Sequence, residues 1–316
     1  MGNRFSKVIQ APKNMEINSI SSFIRVFNFI FDLAGKEKPN YFLSFSKVER
    51  CDVTGLLLLY KMLEYSVNKK CFHSPETDVV SEILIRDYIT EYGFFELIKS
   101  LMNNPDAIDL RPYKKLRISS DEKVLIAPIA LIRSDNLHAT QIIKNHYGPK
   151  ISSFYQDEGV QQMILSVYTE ILHNFWAHAT SDTKSIIVGY GTKNYFEIAC
   201  CDNGYGIDGT MNARFPNKNP KFLVKKAMEN GVTSKVNSNH MGYGLWYINE
   251  VVSKARGTLT IVSNHVMFRN EYGKVSVSDC PFWKGCIVSL KLPLSNPISI
   301  KDIKVDISND VNINFI

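Results

Sequence analysis

Apolar positions along the chain fall into blocks, and their spacing changes from mostly helical to mostly strand-like past the midpoint. Residues 20 to 34 (Ile20, Phe23, Ile24, Val26, Phe27, Phe29, Ile30, Phe31, Leu33) predict a buried helix stopped by Gly35, followed by a polar connection from Lys36 to Asn40 that contains Pro39. Tyr41–Phe45 alternates enough for a strand. Val48–Gly55 then leads into an apolar helix from Leu56 to Val67. A further helix is predicted over Ser81–Tyr92, with the run Gly93–Ile98 behind it. Residues 101–122, with Asn103-Asn104-Pro105-Asp106, Arg111-Pro112 and Ser119-Ser120-Asp121-Glu122, are rich in turn formers and mark a boundary.

Beyond that boundary, Val124–Ile132 reads as a strand interrupted by Pro128, which assigns it to a sheet edge. Ala139–Tyr147 predicts a helix ending before Gly148-Pro149, and Gln161–Ala179 a long amphipathic one. Strands Lys184–Tyr190 and Tyr195–Cys201 flank a turn at 191–194. A helix over Leu245–Ala255 precedes four predicted strands: Gly257–Val262, Val266–Tyr272, Val275–Ser278 and Gly285–Leu292. Helices followed by such strands predict an α+β sandwich, a mixed and mostly antiparallel sheet with helices on one face. Ser295–Ile316 reads as a polar tail.

Composition narrows the class only a little. A chain of 316 residues suggests two domains, and 45% hydrophobic with 22% charged residues is ordinary for globular protein. The net charge of +6 permits contact with anions but is too dispersed to signal nucleic-acid recognition. The six cysteines (Cys51, Cys71, Cys200, Cys201, Cys280, Cys286) include no C-x-x-C pair, and three lie in apolar runs, as expected of reduced thiols in a cytoplasmic protein. Met1–Ser6 matches a myristoylation pattern only superficially, lacking an adjacent basic cluster. No signal-peptide pattern or membrane-length apolar run occurs.

The chemistry concentrates in three short runs. Glu170, Asn174 and His178 are spaced by four on the long helix, so successive members advance by about 40° and share a face that can offer an acid, an amide and an imidazole to one ligand. Asp202-Asn203-Gly204-Tyr205-Gly206-Ile207 follows an apolar strand directly. Gly242-Tyr243-Gly244-Leu245 opens a helix after a stretch that is basic through Arg214, Lys218, Lys221, Lys225, Lys226 and Lys235. Amide hydrogens exposed at such a helix start form an anion site. The bland alternatives are a solvated helix face, an Asp-Asn-Gly hairpin turn and a charged surface helix over Lys221–Asn230.

In this order the three runs resemble the ATP-binding domain shared by gyrase B, the large ATP-driven heat-shock chaperones, histidine kinases and MutL-type repair proteins. The resemblance implies a Bergerat-type sandwich over 151–295 that binds ATP and Mg2+. It gives Asn174 the role of magnesium ligand, Glu170 that of the catalytic carboxylate, and Asp202 that of acceptor for the adenine amino group. Gly204, Gly206 and Ile207 would pass beneath the base. Thr233, Lys235, Gly242, Tyr243, Gly244 and Leu245 would surround the phosphates, and His178 would lie at the helix end. His173 and Trp176 read as packing. Relatives carry Gly-Thr near the last strand, the threonine supporting the adenine-binding aspartate. This chain has Gly285-Cys286, and a thiol is a poorer donor.

Residues 38–100 resemble a STAS domain, the fold of anti-anti-sigma factors, through the strand, the Asp52-Val53-Thr54-Gly55 loop and the leucine-rich helix. Phosphoregulated members carry serine after the loop aspartate. Here that residue is Val53, leaving Thr54 as a weak substitute and making a fixed partner the expectation. The implied layout is a STAS-like regulatory domain over 1–120, a connecting strand and helix over 121–150, the ATP domain and a tail over 296–316.

None of His73, His138 or His146 is followed by an acidic residue, against autokinase activity, and no transducer domain follows the last strand. The expectation is therefore an ATP-dependent regulatory switch with slow hydrolysis, signalling through the N-terminal domain or a protein partner, with room for a homodimer. A serine/threonine kinase resembling the anti-sigma switch kinases, and a module that holds ATP without turnover, are the alternatives.

Overall fold

A computed structural model describes residues 7–32, 41–44, 47–68, 88–89, 91–94, 97, 122–132, 141–178, 184–234, 242–298 and 302–303. Its centre is a five-stranded antiparallel sheet formed by β5 (Lys123–Ile132), β6 (Lys184–Thr192), β7 (Tyr195–Cys201), β8 (Thr258–Glu271) and β9 (Lys274–Pro293), in the order β5-β6-β7-β9-β8. β5 occupies an edge as Pro128 requires, with the register shifting between Ile126 and Ile129 around the proline.

Helices cover both faces of the sheet, not the one face expected, although the far end of the β8–β9 ribbon around Tyr272–Asp279 stays exposed. On one face lie α3 (Gly148–Phe154), α4 (Glu158–His178), α5 (Gly206–Met211), α6 (Pro220–Lys226) and α7 (Gly244–Lys254). On the other lie α1 (Ile20–Phe27), its 3-10 continuation Asn28–Asp32, and α2 (Val53–Asn68). Strand residues alternate between the two layers: Ile198 and Cys200 of β7 pack against α4 and its neighbours, while Ala199 and Cys201 face the α1–α2 side. Among the described residues no helix is long and apolar enough to cross a membrane.

The described N-terminal elements also include two short parallel pairs, β1 (Lys7–Gln10) with β3 (Tyr41–Ser44) and β2 (Asn14–Met15) with β4 (Arg50–Cys51). Asp52 links these to α2, its carboxylate accepting from the amides of Gly55 and Ile17, both at 2.7 Å. A side chain at Gly55 would collide with the Met15 carbonyl, so only glycine lets the helix start this close to β2. Thr54 is 2% exposed and shares a 2.7 Å hydrogen bond with Ser289 of β9, which corrects the expectation that it could stand in as a phosphorylation site. Most of the expected helix at Ser81–Tyr92 and all of 101–121 lie outside the described residues, as does 304–316.

Three expectations are revised. The helix expected to stop before Gly148-Pro149 instead continues through a widened turn, Ile143–Tyr147, into α3, with the proline in the first turn where its missing N–H costs least. The four predicted C-terminal strands are two long ones: the gap at 263–266 is a pair of bulges, and Tyr272-Gly273, both at positive φ, close the hairpin. Of the alternative readings, the charged helix over Lys221–Asn230 is present only as the shorter α6, started by Asn219, whose side chain accepts from the Lys221 amide. The start of the tail is not loose, because Ile298 and Ile303 are buried against the helix layer.

Two glycines of β6 give room to aromatic hydroxyls. A methyl group at Gly189 would overlap the hydroxyl of Tyr168, a group that is fully buried and without a hydrogen-bond partner. Gly189→Ala should therefore cost about 1–3 kcal/mol by overpacking. Tyr168→Phe alone should leave stability within about 1 kcal/mol, since it removes an unsatisfied group, and should recover most of the loss in the double variant. Urea unfolding of the three proteins checks this.

Candidate functional site

The long helix α4 carries its apolar residues at 160, 163, 164, 167, 168, 171, 172 and 175, a single stripe pressed on the sheet. Beside that stripe, one turn apart, stand Ser166, Glu170 and Asn174, each half-buried. The N-terminal half of α7 packs on this polar row. Tyr247 donates to Ser166 Oγ at 2.9 Å. A Cβ at Gly244 would stand 2.7 Å from Glu170 Oε2 and 3.0–3.2 Å from the Asn174 amide. The contacts advance along α7 as they retreat along α4, so the two helices run antiparallel.

Glu170, Asn174 and Gly244 thus meet at one point, as the sequence led one to expect. Two consequences follow from the burial. The Glu170 carboxyl is pushed up from an ordinary 4.5 to about 7 by desolvation. The Asn174 Nδ2 is buried and has no hydrogen-bond partner, a situation that costs about 1–3 kcal/mol in a folded protein. The Glu170 carboxylate and the Asn174 amide oxygen are hard donors of the kind magnesium takes, and the orphaned Nδ2 fits a ligand that offers it an acceptor oxygen. Among the described residues no cluster of three or more His, Cys, Asp or Glu side chains forms a ready-made metal cage.

The loop after β7 carries the second run and leads into α5. The Asp202 amide donates to the Cys286 carbonyl at 2.9 Å, and its Oδ1 accepts from the Gly204 amide at 2.7 Å. Gly206, at φ +74°, starts α5, which packs on α4. Ile207 is half-buried against the same core. Gly285, at φ +103°, lies so close to Asp202 and Asn203 that any side chain would collide with their backbone. Cys286 therefore stands beside Asp202, where the sequence argument set it, and burial pushes its thiol well up.

On the far side of Gly244, Gly242 at φ +74° packs against the backbone of Gly231 and Val232, where a Cβ would come within 2.6–2.8 Å. Tyr243 precedes α7 and meets Trp246 edge-on, and Leu245 packs on the helix-layer core. Thr233 accepts through its carbonyl from Arg214 at 2.6 Å. Part of the basic stretch is neutralised: Lys221 pairs with Asp279 and Lys226 with Glu229. His178 is the last residue of α4, and Lys235 lies outside the described residues. His173, expected as packing, is exposed because it falls off the apolar stripe.

Sequence reasoning missed Ser166 and Tyr247, which brace the two helices, and Asp208, Ser263 and Asn264, which hold the loop at Gly206. Ser166 was detectable as the residue one turn before Glu170 in the same row. The others come from segments that only the sheet topology brings together. No protein-family model matches the chain and no curated protein matches it either, so what the site does is read from its own residues.

A raised carboxyl has a signed effect on stability. The folded protein keeps the Glu170 proton that the unfolded chain loses above about pH 4.5, so stability falls as pH rises from there to about 7 and then levels off. The full penalty is on the order of 2–3 kcal/mol. Glu170→Gln should therefore be more stable than the parent by that order at pH 8, and no more stable near pH 4. Denaturant midpoints across this pH range test the difference.

Proposed function

We propose that the chain binds Mg-ATP between α4 and α7 and works as an ATP-dependent regulatory switch with slow hydrolysis. In this reading residues 151–295 form a Bergerat-type domain of the gyrase, heat-shock chaperone, histidine kinase and MutL kind, and the N-terminal segment is a STAS-like element through which it signals. The observation that carries the reading is the meeting of Glu170, Asn174 and the first residue of α7. An acid, an amide and a helix N-terminus at one point suit a phosphate chain better than they suit a packed interface.

The amides opening α7 donate to phosphate oxygens, and Gly244 lets them approach because it has no side chain. The Asn174 carboxamide would hold magnesium, which supplies charge neutralisation on the phosphates. Glu170, with a carboxyl near 7, is divided between its two forms around neutrality and can accept a proton from an aligned water. Asp202 is the acceptor for a base amino group, with the glycine-bearing loop beneath the ring. Hydrolysis is favoured over a kinase acting on the chain's own N-terminal segment by the burial there: Val53 has no hydroxyl, and that of Thr54 is hydrogen-bonded to Ser289.

Titration calorimetry and phosphate release test this directly. The wild type should bind ATP in a magnesium-dependent way, and kcat/KM should rise with pH to a plateau above about 7, following Glu170 ionisation in the free protein. Glu170→Gln should keep ATP affinity within about threefold while losing roughly a hundredfold or more in turnover. Absence of ATP binding by the wild type would overturn the proposal. A second variant separates site from fold. Gly244→Ala meets only side-chain ends and adds a better helix former, so its melting temperature should hold while ATP affinity falls by about tenfold.

A further inference from the structure

The loop after β7 would read the base, yet little in its own sequence holds it still. What holds it comes from β8, some 60 residues further on. Asn264 lies at the bulge of that strand with φ +49°, a left-handed conformation that asparagine tolerates better than most residues. Its Nδ2 donates to the Tyr205 carbonyl and to Asp208 Oδ1, both at 2.9 Å, and its Oδ1 accepts from the Gly285 amide at 3.5 Å.

Ser263, fully buried, donates to Asp208 Oδ1 at 2.5 Å and accepts from the Ile207 amide at 2.8 Å and the Asp208 amide at 3.4 Å. These two side chains fill the space a Cβ on Gly206 would need, at 2.7 and 2.8 Å. On the other flank Asn203 Nδ2 donates to the Lys284 carbonyl at 3.1 Å. The Asp202–Gly206 loop is thereby clamped between the β8 bulge and the Lys284–Gly285 stretch of β9, and Asn264 bonds the loop through Tyr205 and that stretch through the Gly285 amide.

We infer that Asn264 is the positioning residue of the base-reading loop: its amide fixes Tyr205 and Asp208, and through them sets where the Asp202 carboxylate meets a purine. The inference rests on the nucleotide reading above. It concerns base selection and leaves the phosphate end, built from α4 and α7, untouched. Aspartate at 264 keeps the shape and the tolerance of positive φ but removes the donor and faces the Asp208 carboxylate. Glycine keeps the backbone and removes the side chain altogether.

The test compares wild type, Asn264→Gly and Asn264→Asp by calorimetric titration with Mg-ATP and with magnesium tripolyphosphate, and by hydrogen exchange of the free proteins. Both variants should lose ATP affinity by about tenfold or more, the equivalent of one well-placed hydrogen bond. Both should bind tripolyphosphate within about twofold of wild type, and the amides of Gly204 and Ile207 should exchange faster. Unchanged ATP affinity, or equal losses for ATP and tripolyphosphate, would overturn the inference. Should a variant melt early, Ser263→Ala, which spares Asn264, must then show the same ATP-selective loss for the inference to stand. A wild type that binds tripolyphosphate but not ATP would remove the base reading itself, which is a different result from intact ATP binding in the variants.

Discussion

A sheet covered by helices on both faces leaves its central strands no polar side to offer water. Antiparallel sheets commonly keep one face wet, but here β6, β7 and β9 direct alternate residues into two apolar layers, Ile198 and Cys200 one way, Ala199 and Cys201 the other. Polar chemistry is thereby displaced to the strand ends and the margins of the helices. The loop after Cys201 and the polar row at the margin of α4 are two such places. β7 shares a core with α4, and α5, into which the loop leads, packs on that helix.

At that margin packing and electrostatics oppose each other. The approach of α7 buries Glu170 and Asn174 more deeply than a solvated row would be, and Gly244 faces the ends of both side chains. The result is an acid held away from its ordinary ionisation and an amide with a buried unpartnered nitrogen. Neither feature stabilises the fold. A hydrophobic pair would relieve both, and perturbed, unpartnered groups of this kind cluster at ligand sites. Desolvation is also what strengthens any interaction a phosphate would make there.

How much of this could be read from the chain depended on the range of the interaction. The apolar stripe of α4, the strand β7 and the edge position of β5 were legible, because a helical period, an uninterrupted apolar run and one proline are local signals. So was the meeting of Glu170, Asn174 and Gly244, although only through a known motif order, since no local rule brings residues 170 and 244 together. The single ribbon from Thr258 to Pro293 was not legible, because its interruptions at Asn264 and Pro281 are bulges where the ladder needs no donor. Asn264 itself was invisible. Its role exists only because the β8 bulge folds back beside a loop 60 residues earlier.

The same limit explains the N-terminal segment. Its helices were legible as apolar, but not what they cover. Trp283, Val262 and Ile287 of the sheet face α1 and α2, and within that layer sits the pair Lys61–Glu64, at 2.7 Å, with Tyr60 donating to the same carboxylate. A buried ion pair of this kind contributes little net stability, because desolvation offsets the attraction, but breaking it leaves an uncompensated charge. All three residues lie on α2, so the pair is satisfied within the helix itself. Placement on the sheet is marked instead by Thr54, whose hydroxyl is hydrogen-bonded to Ser289 of β9. That strand also carries Gly285 and Cys286, which contact Asp202. A rigid layer joined to the strand that borders the proposed base site feels any shift of that strand directly, and this favours a fixed mechanical partner over a phosphorylated switch for the N-terminal segment.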